Sequence, residues 1–366
     1  MKILFYINQI YEGGAERVIT QLASSFAEAG DEAVLVTSFE HGGEYVFSDK
    51  VVRLSLEKEQ LQQSRIKRNA SRISKLRKIV KAQRPDIVLS FMQEPNFRAL
   101  IACIGLDCKN VVSVRNDPSR EYSGLLGIVV GKVLMPLLTD YCVFQTEQAR
   151  DWFPVTLRRK SSVICNEVAP EFFLNRKNDS DEYWMAAGRL VEQKNYPMML
   201  KAFKLVLRDC PNETLKIFGE GVEGAFLSDL VFRMNLQDNV FLMGQASDMA
   251  DKMRCAKGFL LSSDYEGMPN ALLEAMAIGL PCISTDCPCG GPREMIESGY
   301  TGFLVPVGSY DSMAKCMMQV ALDKKLAADL GQHAAEKAMD YYPAAVFKRW
   351  KDCFISILGG KNPGSY

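Results

Sequence analysis

The chain has 366 residues, of which 48% are hydrophobic and 24% are charged, and its formal net charge is zero. This composition is typical of a soluble globular protein large enough for two domains, and the zero net charge argues against a protein whose whole surface binds nucleic acid. The 11 cysteines and 2 histidines form no repeating framework, which favours reduced thiols and argues against a structural zinc site.

The first half of the chain alternates short apolar runs with helical sequence. The run at 1–7 lacks the longer apolar region and the small-residue cleavage site of a signal peptide, so it is predicted to be a buried strand. Alternation of this kind predicts an α/β fold with a doubly wound parallel sheet, whose ligands bind beyond the carboxyl ends of the strands. The predicted elements are strands at 3–7, 32–38, 86–90 and 110–114 and a helix at 15–29.

A strongly basic stretch at 65–84 contains nine Lys or Arg residues and no acidic residue. Apolar residues recur within it at helical spacing, which predicts a helix packed on the domain. Each Lys or Arg beside an anionic membrane contributes about 1 kcal/mol of binding, and the stretch has no aromatic residue to stack on nucleic-acid bases. We therefore predict contact with an anionic membrane or a lipid diphosphate, the alternative being an ordinary solvated helix.

The stretch at 124–144 is the best candidate for a membrane span, but it contains Lys132, Pro136 and Asp140. A spanning helix needs about 20 mostly apolar residues. We therefore predict a buried helix here, followed by a strand at 141–145.

A polar run at 175–182 is the predicted linker, because the alternation of strands and helices restarts after it. The domains are accordingly predicted at 1–174 and 175–343, as two Rossmann-like domains facing across a cleft, with a final helix in 344–366. The predicted elements after the linker are strands at 183–187, 215–218, 240–243, 258–262, 281–285 and 302–306 and helices at 198–207 and 344–358.

Two short motifs of the second half match metal or dinucleotide sites. Asp179-Ser180-Asp181 has the D-x-D pattern of some metal sites, but it lies in the polar linker, so we predict no metal ion. The segment 219–224 matches G-x-G-x-x-G and follows a predicted strand. Because Glu220 and Glu223 would repel a pyrophosphate, a turn beside a nucleotide cleft is favoured over a nicotinamide site.

Two cations and two carboxylates in the second half suit a ligand that carries both phosphates and hydroxyl groups. Arg189 and Lys194 lie in the loop after a predicted strand, where they could neutralise a diphosphate. Glu266 and Glu274 flank the turn 267–270, which leads into a helix whose amino end favours an anion. The carboxylates could accept hydrogen bonds from sugar or ribose hydroxyls.

Together, the E-x7-E element at 266–274, the G-R-L-x3-K element at 188–194 and the G-G-A-E-R loop at 13–17 resemble a known family. The chain is similar to retaining, nucleotide-sugar-dependent glycosyltransferases of family 4, which have the GT-B fold. The resemblance covers nearly the whole chain in the expected order. It implies that the last helix returns to the first domain.

The resemblance also implies the roles of the donor-site residues. Arg189 and Lys194 would hold the diphosphate, Glu266 the hydroxyls of the donor sugar and Glu274 the ribose, and Asp117 joins the first three as a catalytic candidate. Further donor contacts would come from glycines and from the turn before the helix: Gly14, Gly219, Gly221, Gly244, Gly267, Met268, Pro269, Asn270, Ala271 and Leu272.

The first domain departs from the family, because Arg115, Asn116 and Asp117 occur where many members carry a histidine. This segment and 287–294 resemble the subgroup that builds bacterial surface polysaccharides on lipid carriers. That implies an undecaprenyl-diphosphate-linked acceptor and a cytoplasmic enzyme on the inner face of the membrane. We favour a UDP-sugar as the donor and expect no cofactor. The candidate acceptor-binding residues are Gly13, Arg115, Asn116, Arg68, Arg72 and Lys75.

Three alternatives stay open on the residues alone. A nucleotide-sugar epimerase on the same scaffold would need no acceptor. An NAD-dependent dehydrogenase would use the glycines at 219–224. A non-catalytic scaffold would have no reason to concentrate Arg189, Lys194, Glu266 and Glu274 at one cleft.

Overall fold

The computed structural model describes residues 1–11, 13–59, 64–174, 176 and 183–359. Of the predicted linker only Arg176 is described, so the linker and its D-x-D motif lie outside the described residues. The chain forms two compact units, one from Met1–Asn166 with Ala344–Tyr366 and the other from Glu167–Pro343. The division between the units thus falls before the position predicted for the linker.

The first unit contains a parallel sheet of seven strands in the order β3-β2-β1-β4-β5-β6-β7. The central strands are buried on both faces and read as continuous apolar runs, as parallel strands between helices do. The five predicted strands are confirmed, whereas the two short edge strands β3 and β7 carry too little apolar sequence to be predicted. The strands are β1 (Lys2–Ile7), β2 (Glu32–Thr37), β3 (Val52–Ser55), β4 (Ile87–Phe91), β5 (Lys109–Ser113), β6 (Tyr141–Phe144) and β7 (Ser161–Val163).

Helices pack on both faces of this sheet. α2 and α3 bury Leu76 and Ala99 with Leu4 and Tyr6 of β1, whereas α1 buries Phe26 on the opposite face. The helices of this part of the chain are α1 (Gly14–Glu28), α2 (Arg65–Gln83), α3 (Gln93–Ala102), α4 (Pro118–Glu121), α5 (Gly124–Val129), α6 (Met135–Leu138), α7 (Glu147–Asp151) and α8 (Val155–Arg158).

The prediction of a buried helix after residue 124 is wrong. α5, a π-helical turn at Val130–Leu134 and α6 follow one another directly, and we call them the apolar segment 124–138. It packs inward through Gly127 and Gly131, where an added Cβ would lie 2.5 Å from the Tyr122 carbonyl carbon and 2.9 Å from the Trp152 ring. Its aliphatic side chains therefore point to solvent. No helix among the described residues has the length and apolar character to cross a bilayer.

The second unit contains a parallel sheet of six strands in the order β10-β9-β8-β11-β12-β13. All six strands predicted after the linker are confirmed, with shifts of one or two residues at their ends. The strands are β8 (Tyr183–Ala187), β9 (Leu215–Phe218), β10 (Val240–Gly244), β11 (Ala256–Leu261), β12 (Cys282–Thr285) and β13 (Phe303–Val305). The helices are α9 (Tyr196–Asp209), α10 (Gly224–Arg233), α11 (Met249–Arg254), α12 (Asn270–Ile278), α13 (Gly291–Met295), α14 (Tyr310–Leu322) and α15 (Lys324–Ala338).

The last helix, α16 (Pro343–Leu358), packs on the first unit. Phe354 stacks on Phe26 of α1 at 5.2 Å between ring centroids, and Trp350 lies 6.2 Å from the Phe91 ring at the end of β4. Trp350 and Phe354 belong to the same buried cluster as β1 and α1. The expectation that the terminal helix returns to the first domain is confirmed.

Candidate functional site

The strand order of the second unit reverses between β8 and β11, which are neighbours in the sheet but not in the sequence. In an open parallel sheet the crevice beyond the carboxyl ends of two such strands is the usual ligand site. The loop after β8 carries Arg189 and Lys194, and the loop after β11 carries Glu266. The fold therefore brings these predicted residues to one edge of the sheet.

An ion pair joins the two loops. Lys194 Nζ lies 2.5 Å from Glu266 Oε1, and the two side chains are only 14% and 9% exposed. Ser263 Oγ donates to the same carboxylate oxygen at 2.6 Å, and Gln193 Nε2 donates to Glu266 Oε2 at 3.4 Å. Sequence reasoning missed Ser263 and Gln193, since only their adjacency to Glu266 and Lys194 pointed to them.

Further hydrogen bonds lock these loops in place. Asn195 Nδ2 donates to Asp264 Oδ1 at 2.7 Å, and Ser262 Oγ donates to the Lys194 carbonyl at 2.7 Å. Asn195 also accepts from the Met198 N–H and so caps α9. Lys194 is thus held by the loop backbone, whereas Arg189 is exposed. Lys194, whose position is fixed, and the exposed Arg189 lie at the same edge of the sheet, where the two cations together can bind a polyanion.

The turn after Glu266 leads into α12, for which Pro269 is the N-cap residue. The positive end of the helix dipole lies at this turn, so the site favours negative charge. Glu274 lies one turn inside the helix and is buried. The predicted residues Gly267, Met268, Asn270, Ala271 and Leu272 form this turn and the first turn of the helix.

The segment 287–291 supports the turn from behind. Glu266 N–H donates to the Pro288 carbonyl at 2.7 Å, and Cys289 N–H donates back to the Glu266 carbonyl at 3.0 Å. A Cβ added at Gly291 would lie 1.8 Å from the Gly267 carbonyl oxygen. Glycine is needed at 291 because two backbone segments touch there.

The glycine turn 219–224 packs on the loop that carries Arg189. Leu190 N–H donates to the Glu220 carbonyl at 2.8 Å, and Glu223 N–H donates to the Leu190 carbonyl at 3.0 Å. Gly219 N–H donates to the Gly244 carbonyl at 2.8 Å, which places Gly219, Gly221 and Gly244 at the same edge of the sheet. Contact between backbones explains these glycines without a dinucleotide.

In the first unit, Gly13 and Gly14 follow β1, and Gly14 begins α1. The Gly13 N–H donates to the Tyr45 hydroxyl at 3.1 Å. Gly13 has a φ of 150°, and a Cβ there would lie 2.2 Å from Glu16 Oε2. This glycine pair therefore lies at the carboxyl edge of the sheet, where the strand order reverses between β1 and β4.

Arg115, just after β5, is a buried cation without a hydrogen-bond partner among the described residues. Its guanidinium carbon lies 4.2 Å from the Phe91 ring centroid and 5.9 Å from that of Trp350. Burial lowers the pKa of Arg115 to about 9, which keeps it charged at neutral pH. A buried guanidinium that lies against aromatic rings and lacks a hydrogen-bond partner among the described residues is a ready partner for an anion.

Asp117 and Asn116 serve the local backbone. Asp117 Oδ1 accepts from the N–H and the hydroxyl of Ser119, at 2.9 and 2.7 Å, and so caps α4. Asn116 Oδ1 accepts from the Asp117 N–H at 2.9 Å. These contacts account for both side chains structurally, and their predicted roles toward a substrate stay predictions.

Glu121 is a further carboxylate at this edge that sequence reasoning missed. The residue is partly exposed, but its Oε2 is buried without a partner among the described residues, while Oε1 accepts from the Gln93 N–H at 2.6 Å. Burial raises the pKa of Glu121 from 4.5 to about 7. The nearby charge of Asp117 also raises this pKa, whereas the hydrogen bond from Gln93 lowers it. The only signal in the sequence is a glutamate at the end of the short helix that Asp117-Pro118 begins.

The raised pKa makes stability depend on pH. The folded state holds the Glu121 proton more tightly than the unfolded state, so this group's contribution to stability is complete below pH 4.5 and is lost as the pH rises through about 7. We expect Glu121→Gln to gain about 1–2 kcal/mol relative to the wild type between pH 4 and pH 8. Urea unfolding of both proteins at the two pH values measures this, and an unchanged difference would contradict it.

The basic stretch is helical, as predicted, but Arg72 lies inside. Its Nε and Nη2 donate to Glu57 Oε2 at 3.1 and 2.8 Å, and both side chains are 3% exposed. Lys75 is half-buried and lies 3.6 Å from the same carboxylate, and Arg68 is also partly buried. Arg72 is therefore a structural cation, and its predicted contact with the acceptor has no support from its position.

Metal-ligand chemistry is sparse in the part of the chain that the structure describes. No group of three or more His, Cys, Asp or Glu side chains there could hold a metal ion. The cysteines are all free thiols.

Comparison with known families gives two adjacent matches. The family described as glycosyl transferases group 1 matches residues 169–337, and glycosyltransferase family 4 matches residues 12–171. The first family thus matches most of the second unit, and the second family matches most of the first unit.

Three known proteins illustrate the similarity. An exopolysaccharide phosphotransferase of Streptomyces coelicolor is 30% identical over 227 residues, which are 61% of this chain but only 24% of that protein. The GalNAc-alpha-(1->4)-GalNAc-alpha-(1->3)-diNAcBac-PP-undecaprenol alpha-1,4-N-acetyl-D-galactosaminyltransferase of Campylobacter jejuni is 24% identical over 356 residues, 96% of this chain and 97% of that one. The crystal structure of Anabaena HepE with UDP and glucose superimposes with a TM-score of 0.82 at 17% identity, covering 97% of this chain and 100% of that one.

The two family matches meet in the middle of the chain, and the solved structure superimposes on 97% of it. The chain therefore belongs to glycosyltransferase family 4 and has the GT-B fold.

Proposed function

We propose that the protein transfers a sugar from a UDP-sugar to a glycan linked to undecaprenyl diphosphate, with retention at the anomeric carbon. The observation that carries the proposal is the buried Lys194–Glu266 pair at the switch point of the second sheet. In this pair, a cation that would bind the diphosphate lies beside a carboxylate that would accept hydrogen bonds from sugar hydroxyl groups. Structural relatives support the donor, since HepE was solved with UDP and glucose.

The donor would lie along the edge formed by β8 and β11. Arg189 and Lys194 would neutralise the diphosphate, and the amino end of α12 would add backbone N–H groups to it. Glu266 would accept from the donor-sugar hydroxyls and Glu274 from the ribose. As the bond between the anomeric carbon and the diphosphate breaks, negative charge grows on the diphosphate, and fixed cations stabilise it most in a desolvated site.

We infer that these cations take the place of a metal ion. Arg189 and Lys194 lie on the loop after β8, and the positive end of the α12 dipole, which follows Glu266, would add to their charge at the proposed diphosphate position. Transfer in the presence of a chelator would continue at the full rate if this inference is right.

The acceptor would bind at the carboxyl edge of the first sheet. Arg115 is a buried cation of that edge without a hydrogen-bond partner among the described residues, and Gly13, Gly14 and Asn116 lie on the neighbouring loops. A diphosphate on the acceptor would give the Arg115 guanidinium the anion that it lacks. The relative from Campylobacter jejuni, whose name specifies an undecaprenol-linked substrate, supports this class of acceptor. Arg68 and Lys75 of α2 would contribute charge, but not Arg72.

The test of the donor site is a thermal-shift panel of UDP, GDP, ADP and NAD on the full chain. Ligand at about 100 times its dissociation constant adds about 2.7 kcal/mol of stability. We expect a shift with UDP. A shift with NAD alone would replace the transferase with a dehydrogenase, and conversion of the UDP-sugar without acceptor would indicate an epimerase.

The reaction itself is tested by product analysis with a lipid-linked acceptor. The anomeric configuration of the new bond, read from its NMR coupling constant, should match that of the donor. An inverted product would refute retention, and equal activity on a soluble acceptor would refute the lipid-linked acceptor.

A further inference from the structure

The apolar segment 124–138 exposes six aliphatic side chains along one surface. Their exposures run from 39% for Val129 to 81% for Leu126. Soluble proteins scatter single exposed aliphatics, whereas a contiguous set of this kind marks an interaction surface. The six residues are Leu125, Leu126, Ile128, Val129, Val133 and Leu137.

The packing of the segment keeps this surface outward. Gly127, Gly131 and Met135 recur at helical spacing and are buried against the rest of the unit. Side chains larger than hydrogen at the two glycines would strike the Tyr122 backbone and the Trp152 ring. The two glycines therefore fix the inner face of the segment, which cannot rotate to bury Leu125 and Leu126.

The segment lies on the same face of the first sheet as the basic helix α2. α2 connects β3 to β4, α3 connects β4 to β5, and α5–α6 connect β5 to β6, so all three connections run in the same direction across the sheet. Connections between parallel strands are right-handed, and connections that run in the same direction therefore lie on the same face. α3 packs against α2 on one side and α6 on the other. One layer of the unit therefore presents a basic helix and an apolar helix, with the mostly buried α3 between them.

The charges of α2 and of the apolar segment are of one sign, and Glu94 of α3 between them pairs with Arg65 and Arg98. Neither 65–84 nor 124–138 contains an acidic residue. Arg65, Lys67, Lys78 and Lys81 of α2 are exposed. The only charge in the apolar segment is Lys132, whose Nζ lies 3.6 Å from the Trp152 ring centroid. Basic side chains beside exposed leucines fit an anionic bilayer surface, with lipid headgroups against the former and acyl chains against the latter.

We propose that the apolar segment 124–138 inserts into the interfacial layer of an anionic membrane and anchors the first unit there, with α2 contacting the headgroups. The proposal deepens the proposed function, because a lipid-linked acceptor would be reached from that surface. The basic helix alone would give a salt-sensitive attachment, whereas inserted leucines would give one that persists at high salt.

The experiment is flotation of the full chain with phosphatidylglycerol-rich vesicles and with phosphatidylcholine vesicles, at low and high salt. The variant Leu125→Ser/Leu126→Ser/Leu137→Ser changes exposed residues and should fold as the wild type does. Val222→Ser/Phe232→Ser is the matched control, because these side chains of the second unit are 92% and 70% exposed. We expect the triple variant to bind phosphatidylglycerol vesicles at least about tenfold more weakly, and the control to bind as the wild type does.

A second variant reports insertion directly. Trp184 and Trp350 are fully buried, whereas Trp152 is partly buried against the apolar segment. The emission of the wild type is therefore the baseline, to which Leu126→Trp adds an exposed fluorophore. Brominated lipids should quench the emission that Leu126→Trp adds and leave unchanged the emission that Val222→Trp adds.

Several results would overturn the proposal. These are no vesicle binding by the wild type, equal binding by the triple variant, binding abolished by salt alone, or a dimer that the triple variant disperses. The UDP thermal shift is independent of these results, so its absence would count against the donor site and not against the membrane surface.

Discussion

Lys194→Ala should reduce kcat/KM for sugar transfer by about 10²–10³, the loss that follows removal of one group stabilising a developing anion. Lys194 is the cation that the structure holds at the switch point, 2.5 Å from Glu266. The variant should also lose the thermal shift with UDP, because the diphosphate would lose a point charge. Steady-state kinetics and thermal shift measure the two effects, with Lys201→Ala, an exposed lysine of α9, as the control.

A double-mutant cycle distinguishes the loss of a donor-binding cation from a purely structural effect of the Lys194 substitution. Removing Lys194 leaves the Glu266 carboxylate buried without its cation, which alone costs stability of about 1–3 kcal/mol. If that were the whole effect, Lys194→Ala/Glu266→Gln would regain the UDP thermal shift, since the uncompensated charge is gone and UDP carries no donor sugar for Glu266 to bind. We expect the double variant to regain stability and still show no UDP shift. Recovery of the UDP shift by the double variant would remove Lys194 from the proposed donor site.

Gly219→Ala should destabilise the protein by about 3 kcal/mol and abolish the UDP shift. Gly219 has a φ of 135°, and an added Cβ would lie 2.0 Å from the Gly188 carbonyl oxygen. Both sides of this contact are backbone, so relief requires movement of the loop that carries Arg189 and Lys194. Chemical denaturation measures the first effect and thermal shift the second.

Gly224→Ala is the matched control within the same G-x-G-x-x-G motif. A Cβ there would lie 3.6 Å from Leu190 Cδ1, an ordinary contact, at the first residue of α10. We expect a change within about 0.5 kcal/mol and a normal UDP shift. A dinucleotide site would need all three glycines of the motif, so equal damage at Gly219 and Gly224 would favour that site over the loop packing that we describe.

Much of this fold was predictable because its buried parallel strands are continuous apolar runs. β1, β8 and β9 are fully or almost fully buried and were predicted within a residue of their ends. The edge strands β3 and β7 were missed, since Arg53 and the two serines of β7 give no apolar run. Hydrophobic periodicity is a weak signal where a strand is short and one side faces solvent.

Other features depend on contacts between distant parts of the chain. Arg72 belongs to a basic stretch and looks exposed in sequence, but Glu57 draws it into a buried ion pair. Leu125 and Leu126 look like core residues, but Gly127 and Gly131 occupy the inner face of their helix. Composition cannot predict either outcome, because burial is decided by the surface against which a helix packs.

By itself the sequence determined the two-sheet α/β architecture, the family, and the order of Arg189, Lys194, Glu266 and Glu274 along the chain. Those features depend on local periodicity and on residues a few positions apart. Only the tertiary structure decided that Lys194 pairs with Glu266, that Arg115 is buried without a hydrogen-bond partner among the described residues, and that Glu121 titrates near neutral pH. These three outcomes depend on desolvation and on residues brought together from distant parts of the chain. Local sequence encodes neither the desolvation nor the identity of these neighbouring residues.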